Sequence, residues 1–291
     1  MSDDGPFGPV VNGTMIVFYE YRPNKPAALS FMALFALATL GHLVYFFRLR
    51  AWYFIPFLLG GIAEVFGYYG RYMASDEPTK VGPFIMQNLL ILAAAPMLAA
   101  TIYMSTGRII LALDAREFTL ISPRWLTKLY VLIDIGAVVT QLIGSILPAS
   151  GSESAIALSR KIILAGLITQ FSALAFFIVQ CLIVHRGIKK NPTSVVLAIT
   201  SVNWEIHFWM AELVIVLTIV RSVVRAIEYL QGDGGFVISH EIFIYVFDAA
   251  IMWSVMMIYL IIHPGRLIRD ARRLKNHECT SGEHVPLDSR A

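Results

Sequence analysis

The sequence predicts an all-α membrane protein, a bundle of seven transmembrane helices with the N-terminus outside and the C-terminus in the cytoplasm. Three observations lead to this prediction. The chain of 291 residues is 57% hydrophobic and only 15% charged, whereas soluble domains carry roughly a quarter charged residues. Seven apolar runs are each long enough to cross a bilayer, which takes about 20 residues. The cations between those runs are unequally divided between the two sides.

The apolar runs define the predicted spans. The first, ALSFMALFALATLGHLVYFF, is the cleanest, and the sixth is interrupted by Glu212, Arg221 and Arg225. The preceding segment MSDDGPFGPVVNGT is acidic and lacks the pattern of a cleavable signal peptide, so the first span is expected to direct insertion. The predicted spans are residues 28–47, 52–74, 84–106, 125–148, 160–184, 204–227 and 240–262.

The loop cations predict the orientation. The side reached after spans one, three, five and seven carries Arg48, Arg50, Arg108, Arg116, Arg124, Arg186, Lys189, Lys190, Arg266, Arg269, Arg272, Arg273 and Lys275. The other side carries Arg22, Lys25, Lys80, Arg160 and Lys161. The richer side is expected to be cytoplasmic. The triplet Asn12-Gly13-Thr14 fits an external N-terminus, because it is a potential glycosylation acceptor at Asn12.

This orientation divides the chain into three parts. Residues 1–27 form an extracellular tail, residues 28–264 form the seven-helix domain, and residues 265–291 form a cytoplasmic tail that is basic and then disordered. The basic part is expected to lie on anionic lipid. The two cysteines, Cys181 and Cys279, lie in an apolar run and in the polar tail, and they are not expected to pair.

Charged side chains inside the spans predict a binding site. Each charge at the bilayer centre costs about 2.5–3.5 kcal/mol, so these groups must be paired or hydrated. Glu64 and Arg71 lie seven residues apart on one helical face, and Asp134 and Gln141 repeat that spacing. At a rise of 1.5 Å per residue, most of these polar side chains fall in the predicted outer half of the membrane. Glu64 and Asp134 lie near mid-depth. The predicted outward-facing substrate cavity is lined by Glu64, Arg71, Gln87, Asp134, Gln141, Arg221, Arg225, Glu228, Glu241 and Asp248.

Simpler interpretations of single residues stay open at this point. Arg225 and Glu228 also suit a solvated helix end. Glu64 and Arg71 also suit a structural pair between helices, and Glu212 suits a lone charge near the inner interface. The hypothesis of a shared cavity depends on the clustering of the charges at one depth.

Four motifs in order resemble the signatures of the fungal lipid-translocating exporter family, also called RTA-like after resistance to 7-aminocholesterol. They are GGIAEVFGYYGR, QNLLILAAAPMLAATIYMSTGRII, RSVVRAIEYLQGDGGF, and EIFIYVFDAAIM followed by HPG. The similarity covers about residues 20–265. The motif positions are Glu64, Gly67, Arg71, Gln87, Pro96, Arg108, Asp134, Gln141, Arg221, Arg225, Glu228, Glu241, Asp248, His263 and Pro264.

The resemblance implies seven spans, an external N-terminus, and export or flipping of amphiphiles such as sphingoid bases or sterol-like toxicants. A carboxylate such as Glu64 or Asp248 suits a cationic amine headgroup, and an arginine such as Arg221 suits a phosphate or carboxylate. The sequence contains no glycine-rich phosphate loop, so it predicts no ATP use. We expect a multi-pass protein of the plasma membrane or another endomembrane that is not an enzyme. It should need no cofactor and bind membrane lipids or amphipathic small molecules rather than nucleic acid.

Three alternatives remain at this stage. A haem- or porphyrin-binding protein would need axial ligands, for which His42, His207, His240 and His263 are the candidates. An intramembrane zinc hydrolase would need clustered histidines, and the sequence shows no such cluster. A seven-span receptor matches in span count, but the third span ends in MSTGRII without the acidic-Arg-aromatic triplet. Substrate, direction, energy source and oligomeric state are not determined by the sequence.

Overall fold

The chain folds into long helices that pack side by side, as the apolar runs predicted. A computed structural model describes residues 6–11, 14–15, 17–146, 153–198, 203–231 and 235–282. The helices are α1 Lys25–Leu49, α2 Ile55–Asp76, α3 Val81–Ala112, α4 Pro123–Ile146, α5 Glu153–Lys190, α6 Ser194–Ala198, α7 Trp204–Gln231, α8 Ile251–Ile261 and α9 Pro264–Gly282. Short 3₁₀ turns cover Trp52–Phe54 and Arg116–Phe118.

Five helical segments in the described chain are long and apolar enough to cross a membrane. They are Lys25–Leu49, Val81–Ala112, Thr127–Gly144, Lys161–Lys190 and Ile244–Leu274. The helices α2 and α7, of 22 and 28 residues, are outside this set and carry much of the buried charge. Large apolar side chains such as Leu37, Leu132 and Ile168 are exposed, while Glu64 and Arg71 are buried. This inverted distribution is that of a multi-pass membrane protein.

The N-terminal segment packs against the end of the bundle instead of extending away from it. Strands β1 Val10–Val11 and β2 Thr14–Met15 form a short antiparallel hairpin. Helix α1 begins three residues earlier than predicted, because the Asn24 side chain accepts a hydrogen bond from the amide of Ala27 and Pro26 occupies the first turn. The Arg22 side chain donates to the carbonyl of Ser75 on α2. The predicted glycosylation site Asn12 lies outside the described residues.

Glycines bring α2 and α3 into backbone contact. A Cβ at Gly70 would lie 2.9 Å from the backbone nitrogen of Gln87, and one at Gly67 would lie 2.6 Å from Cγ1 of Ile91. Small residues permit such close packing between membrane helices. The consequence for the site is that Arg71, next to Gly70, faces Gln87 across a narrow gap.

The seventh predicted span is not one regular α-helix. It begins as a π-helix over Ile244–Ala250 and continues as α8. A π-helix changes the register of the side chains, and such segments are frequent at functional sites. Here the segment turns Tyr245 and Asp248 into the bundle, where both are buried.

The first part of the tail, which the sequence predicted to be basic, is helical. Helix α9 extends to Gly282, and Leu267, Ile268 and Ala271 on one of its faces are buried in the core. The apolar residues recur at helical spacing between the arginines, so one face packs against the bundle while the arginines remain exposed. Residues 283–291 lie outside the described part of the chain.

Candidate functional site

Arg71 is the centre of the first group of polar side chains, which we call the tyrosine–arginine cluster: Arg71, Glu241, Gln87, Tyr21 and Tyr245. Arg71 is only 1% exposed. Its Nη2 lies 2.7 Å from Oε1 of Glu241 and 3.2 Å from the Tyr21 hydroxyl, its Nε donates to Tyr245 at 3.0 Å, and its Nη1 reaches Gln87 at 3.5 Å. Four of its five N–H groups therefore have partners.

The N-terminal segment covers this cluster. Tyr19 donates a hydrogen bond to Oε1 of Gln87 at 3.1 Å, and the backbone amide of Asn24 donates to Oε1 of Glu241 at 2.7 Å. Burial raises the pKa of the Tyr21 phenol, against the opposing effect of Arg71, so the hydroxyl stays protonated while Arg71 donates to its oxygen. The cluster thus holds the N-terminal segment onto α2 and the seventh predicted span.

A second group lies deeper and is poorer in partners. We call it the acid-rich cluster: Glu64 of α2, Arg221 of α7 and Asp248 of the π-helix. The Nε of Arg221 donates to Oδ1 of Asp248. Glu64 lies seven residues before Arg71 on α2, about 10 Å deeper along the helix axis. Its electrostatic partners are Asp248, Arg221 and Arg225.

The acid-rich cluster leaves several buried atoms without hydrogen bonds. These are both carboxylate oxygens of Glu64, Oδ2 of Asp248 and Nη2 of Arg221. Buried polar groups are normally hydrogen-bonded, and each exception calls for an explanation. Two carboxyl groups share one directly bound cation here. One more positive charge, or a proton, would balance the charge of the cluster.

Tyr68 connects the two clusters. It is fully buried on α2, its electrostatic partners include Asp248, Glu64 and Arg71, and its hydroxyl has no hydrogen-bond partner. Its ring stacks on Phe35 and lies 6.3 Å from the ring of Tyr245.

A small cavity lies beside the acid-rich cluster, between α3, α4, α5 and α7. Its volume of about 10 Å³ holds about one water molecule. The polar residues that line it are Gln141, Gln170, Arg221, Ser222 and Arg225. Pro96 also lines it and cannot donate to the carbonyl of Leu92, which borders the same cavity. The sequence predicted a charged cavity that opens outward, and in the structure Glu64, Arg71 and Arg221 are buried.

Asp134 lies on α4, next to this cavity but apart from the acid-rich cluster. It is 1% exposed, neither of its oxygens has a hydrogen-bond partner, and Tyr103 and Gln170 are the polar side chains that act on it. Gln170 also lines the cavity. The structure therefore places Gln141, Gln170 and Arg221 around one cavity, and Gln170 also interacts with Asp134.

The predicted site residues divide into separate groups. Arg71, Gln87 and Glu241 meet in the first cluster, and Glu64, Arg221 and Asp248 meet in the second. The direct partner of Arg225 is Glu228 of its own helix, at 2.9 Å. The reason is spacing, because residues three apart are neighbours on a helix surface.

The histidines do not form the scattered set that the sequence indicated. The rings of His42 and His263 lie 6.2 Å apart, and His263 stacks on Phe54 at 4.4 Å. Nε2 of His42 bonds the carbonyl of Met256, while His240 is exposed and bonds the carbonyl of Phe236. Nδ1 of His263 accepts a hydrogen bond from the amide of Gly265, so each of these two rings has one nitrogen engaged by the backbone.

Glu212 was expected to be a lone charge, and the structure gives it a partner. Nδ1 of His185 on α5 lies 2.8 Å from Oε1 of Glu212 on α7. His207, a haem candidate, bonds the carbonyl of Asn203 on its own helix. Among the described residues, no group of three or more His, Cys, Asp or Glu side chains could hold a metal ion.

Sequence reasoning missed the tyrosines of the N-terminal segment and the π-helix. Tyr19 and Tyr21 lie outside the predicted spans, so the cost of placing polar groups in the membrane gave no reason to select them. Tyr68 and Tyr103 carried a weak signal, because each is a polar-tipped aromatic inside a predicted span.

Comparison with known proteins identifies relatives over most of the chain. The family described as RTA1 like protein matches residues 57–271. The chain is 30% identical to Protoporphyrin uptake protein 1 of Saccharomyces cerevisiae, over 84% of this chain and 90% of the relative. It is 28% identical to Protein RTA1, over 84% of both chains, and 24% identical to Sphingoid long-chain base transporter RSB1, over 84% and 72%. No solved structure is significantly similar to the chain.

Proposed function

The chain belongs to the RTA1-like family of multi-pass membrane proteins, and from that premise we propose that it moves cationic amphiphiles, long-chain amines of the sphingoid-base type, across the bilayer. The observation that carries the proposal is the buried Glu64, whose two oxygens have no hydrogen-bond partner next to the Arg221–Asp248 pair. A carboxylate in that position is stabilised by a cation. The proposal is for a transporter, not an enzyme.

The chemistry of the site favours an amine over an anion. The acid-rich cluster contains two carboxyl groups and one directly bound guanidinium, so an ammonium group supplies the missing charge and up to three hydrogen-bond donors. The relative named as a sphingoid long-chain base transporter supports this substrate class. The relative named for protoporphyrin uptake suggests a carboxylate-bearing amphiphile, but Arg71 and Arg225 are already paired with Glu241 and Glu228.

The path to the site is expected to open at the end covered by the N-terminal segment. Tyr21 and Asn24 hold that cover through Arg71 and Glu241. Separation of the cover would expose the tyrosine–arginine cluster first and the acid-rich cluster about 10 Å deeper. The headgroup would then pass between helices while the apolar tail stays in lipid, next to the exposed leucines and isoleucines.

We infer that α2 and α7 cross the membrane together with the five more apolar segments, giving seven spans and an external N-terminus at the plasma membrane. Their lengths of 22 and 28 residues suffice for a hydrocarbon core of about 30 Å, and their buried charges face the bundle. Enzymatic deglycosylation of the protein from a eukaryotic host should reduce its apparent mass, and Asn12→Gln should abolish that shift. An unmodified Asn12, together with thiol labelling from the cytoplasm of a cysteine introduced into the N-terminal segment, would contradict this orientation.

The transport proposal is tested in vesicles that contain the purified full chain. The probe is a fluorescent long-chain amine, and its neutral N-acetylated analogue is the headgroup control. We expect the protein to accelerate movement of the amine and not of the analogue. Glu64→Gln, which keeps the shape and removes the charge, should slow movement of the amine about tenfold or more, the loss expected from removing one charged hydrogen bond of 1.5–3 kcal/mol.

The matched control is Glu77→Gln, an exposed carboxylate in the loop after α2. It should transport at the rate of the unmodified protein. Equal rates for the Glu64→Gln variant and the unmodified protein would rule out the acid-rich cluster as the site. Equal movement of the amine and its neutral analogue would rule out recognition of the cationic headgroup.

A further inference from the structure

A second polar cavity lies at the opposite end of the bundle, where α1 ends, α2 begins and α9 crosses α3. Its volume is about 410 Å³, within the range of about 300–1,000 Å³ for small-molecule sites. We call it the arginine pocket. Its polar lining consists of Arg50, Arg108, Arg269, Arg272, Arg273 and Tyr53.

The charges of the arginine pocket are unbalanced. Five guanidinium groups line it, and its lining contains no acidic residue among the described side chains. The one acidic contact of these arginines among the described side chains joins Arg269 to Asp270, at 3.8 Å. Convergent arginines repel one another, and an anion that bridges several of them forms charge-assisted hydrogen bonds. The pocket therefore fits a ligand with more than one negative charge.

Tyr53 supplies an independent observation. The residue is 8% exposed, and its hydroxyl is buried without a hydrogen-bond partner. The guanidinium of Arg108 lies 4.5 Å from the centre of the Tyr53 ring, and Arg272 also acts on the hydroxyl. The Tyr53 hydroxyl therefore has no hydrogen bond within the described protein and would gain one by donating to a ligand oxygen.

The rim of the arginine pocket is apolar, which favours a lipid over a soluble anion. Its apolar lining residues are Leu49, Ala51, Trp52 and Ile268, and Trp52 is 65% exposed. Arg50 adopts the left-handed conformation with φ 49°, so the chain turns sharply after α1 and brings Trp52 onto the ring of Phe46. Exposed tryptophans next to cations are typical of the membrane–water interface. A ligand in the pocket therefore meets arginines at one end and an acyl-like surface at the other.

We propose that the arginine pocket binds the phosphomonoester headgroup of an anionic membrane lipid, with one lipid bound per chain. A phosphomonoester carries between one and two negative charges near neutral pH and has three strong acceptor oxygens. Arg108, Arg272 and the Tyr53 hydroxyl can each donate to one of these oxygens. A phosphodiester headgroup has a single charge and two free oxygens, so it satisfies fewer of the donors.

The experiment measures lipid binding by native mass spectrometry of the full chain in neutral detergent. The probes are phosphatidic acid, phosphatidylserine and phosphatidylcholine. We expect the first phosphatidic acid to bind about tenfold more tightly than phosphatidylserine, as the additional charge-assisted hydrogen bonds require. The double variant Arg108→Gln/Arg272→Gln should lose about tenfold in that affinity.

The matched control is Arg116→Gln/Arg186→Gln, which removes two exposed arginines outside the arginine pocket. It should bind phosphatidic acid as the unmodified protein does. Tyr53→Phe keeps every charge and should reduce the preference for phosphatidic acid over phosphatidylserine by about threefold. Size-exclusion profiles show whether each variant is folded, and Tyr53→Phe tests the proposal even if the double variant is not.

Three outcomes would overturn the proposal. Equal losses in the pocket and control variants would indicate diffuse attraction to basic residues. Equal binding of the three lipids would remove the headgroup preference. Displacement of phosphatidic acid by excess inorganic phosphate would assign the pocket to a soluble phosphate compound instead of a lipid. None of these outcomes bears on transport through the acid-rich cluster, which the vesicle assay tests separately.

Discussion

The tyrosine–arginine cluster and the acid-rich cluster both contain arginine and carboxylate side chains, but they differ in how many of their hydrogen-bonding groups have partners. In the first, Arg71 has partners for four of its five N–H groups, and Glu241 accepts from both Arg71 and the backbone of Asn24. In the second, Glu64 has no hydrogen bond, and Arg221 and Asp248 each keep a buried atom without a partner. The two clusters are about 10 Å apart along α2.

The difference separates a structural role from a binding role. A buried network whose members are all satisfied rigidifies the structure around it, and a partly satisfied one is costly to maintain. The tyrosine–arginine cluster therefore has the properties of a lock that fixes the N-terminal segment. The acid-rich cluster keeps the unpaired groups on which the proposed cation site depends. Four substitutions would break or sharpen this comparison.

The largest effect is expected for Arg71→Met. It removes the partner of Glu241, which is only 21% exposed, and also the anchor of Tyr21. Removing one member of a buried pair costs about 3–5 kcal/mol, so the melting temperature in detergent should fall by about 10 °C. The N-terminal segment should also become accessible to protease. A melting temperature within a few degrees of the unmodified protein would show that the cluster is not a lock.

The next effect is expected for the Arg221–Asp248 pair. Arg221→Met should destabilise the protein by about 2 kcal/mol, less than the change at Arg71, because Asp248 can take up a proton. Arg221→Met/Asp248→Leu should recover most of this loss, since apolar replacement of a buried pair is often neutral. Both variants should fail in the transport assay. A double variant less stable than the single one would mean that Asp248 stabilises the fold independently of Arg221.

A smaller effect on stability is expected for Glu64→Gln. The side chain makes no hydrogen bond that the substitution would break, so the melting temperature should stay the same or rise, within about 1 kcal/mol of stability. Thermal unfolding of the variant used in the transport assay measures this directly. A strongly destabilised variant would place Glu64 in the structural group and remove the contrast between the clusters.

The smallest effect is expected for the exposed pair Lys25–Asp76, which also joins the N-terminal segment to α2. Its atoms are 2.7 Å apart, but its side chains are 43% and 55% exposed. Exposed pairs contribute little to stability, so Lys25→Gln should leave the melting temperature nearly unchanged. High salt should reduce any remaining difference further. A fall in melting temperature as large as that of Arg71→Met would show that burial is not what makes the tyrosine–arginine cluster stabilising.

Much of the fold follows from the sequence because a bilayer imposes strong local constraints. A run such as ALSFMALFALATLGHLVYFF has few alternatives to a membrane helix, and α1 extends the predicted limits by only two or three residues at each end. The π-helix at Ile244–Ala250 has no comparable signal, because a single extra residue in one turn depends on packing against α2 and α7. The formation of helix α9 likewise depends on the bundle, which buries Leu267 and Ala271.

The sequence by itself determined that this protein is helical, that it belongs in a membrane, and that buried charges must meet inside it, since each of these follows from the cost of placing polar groups in an apolar solvent. Only the tertiary structure decided which charges meet. It paired Arg71 with Glu241 and Arg221 with Asp248, it left Glu64 without a hydrogen bond, and it gathered five arginines around Tyr53. The physical reason is that ion pairing depends on how each helix is rotated and how far apart the helices lie. Both are set by packing between residues that are far apart in the sequence.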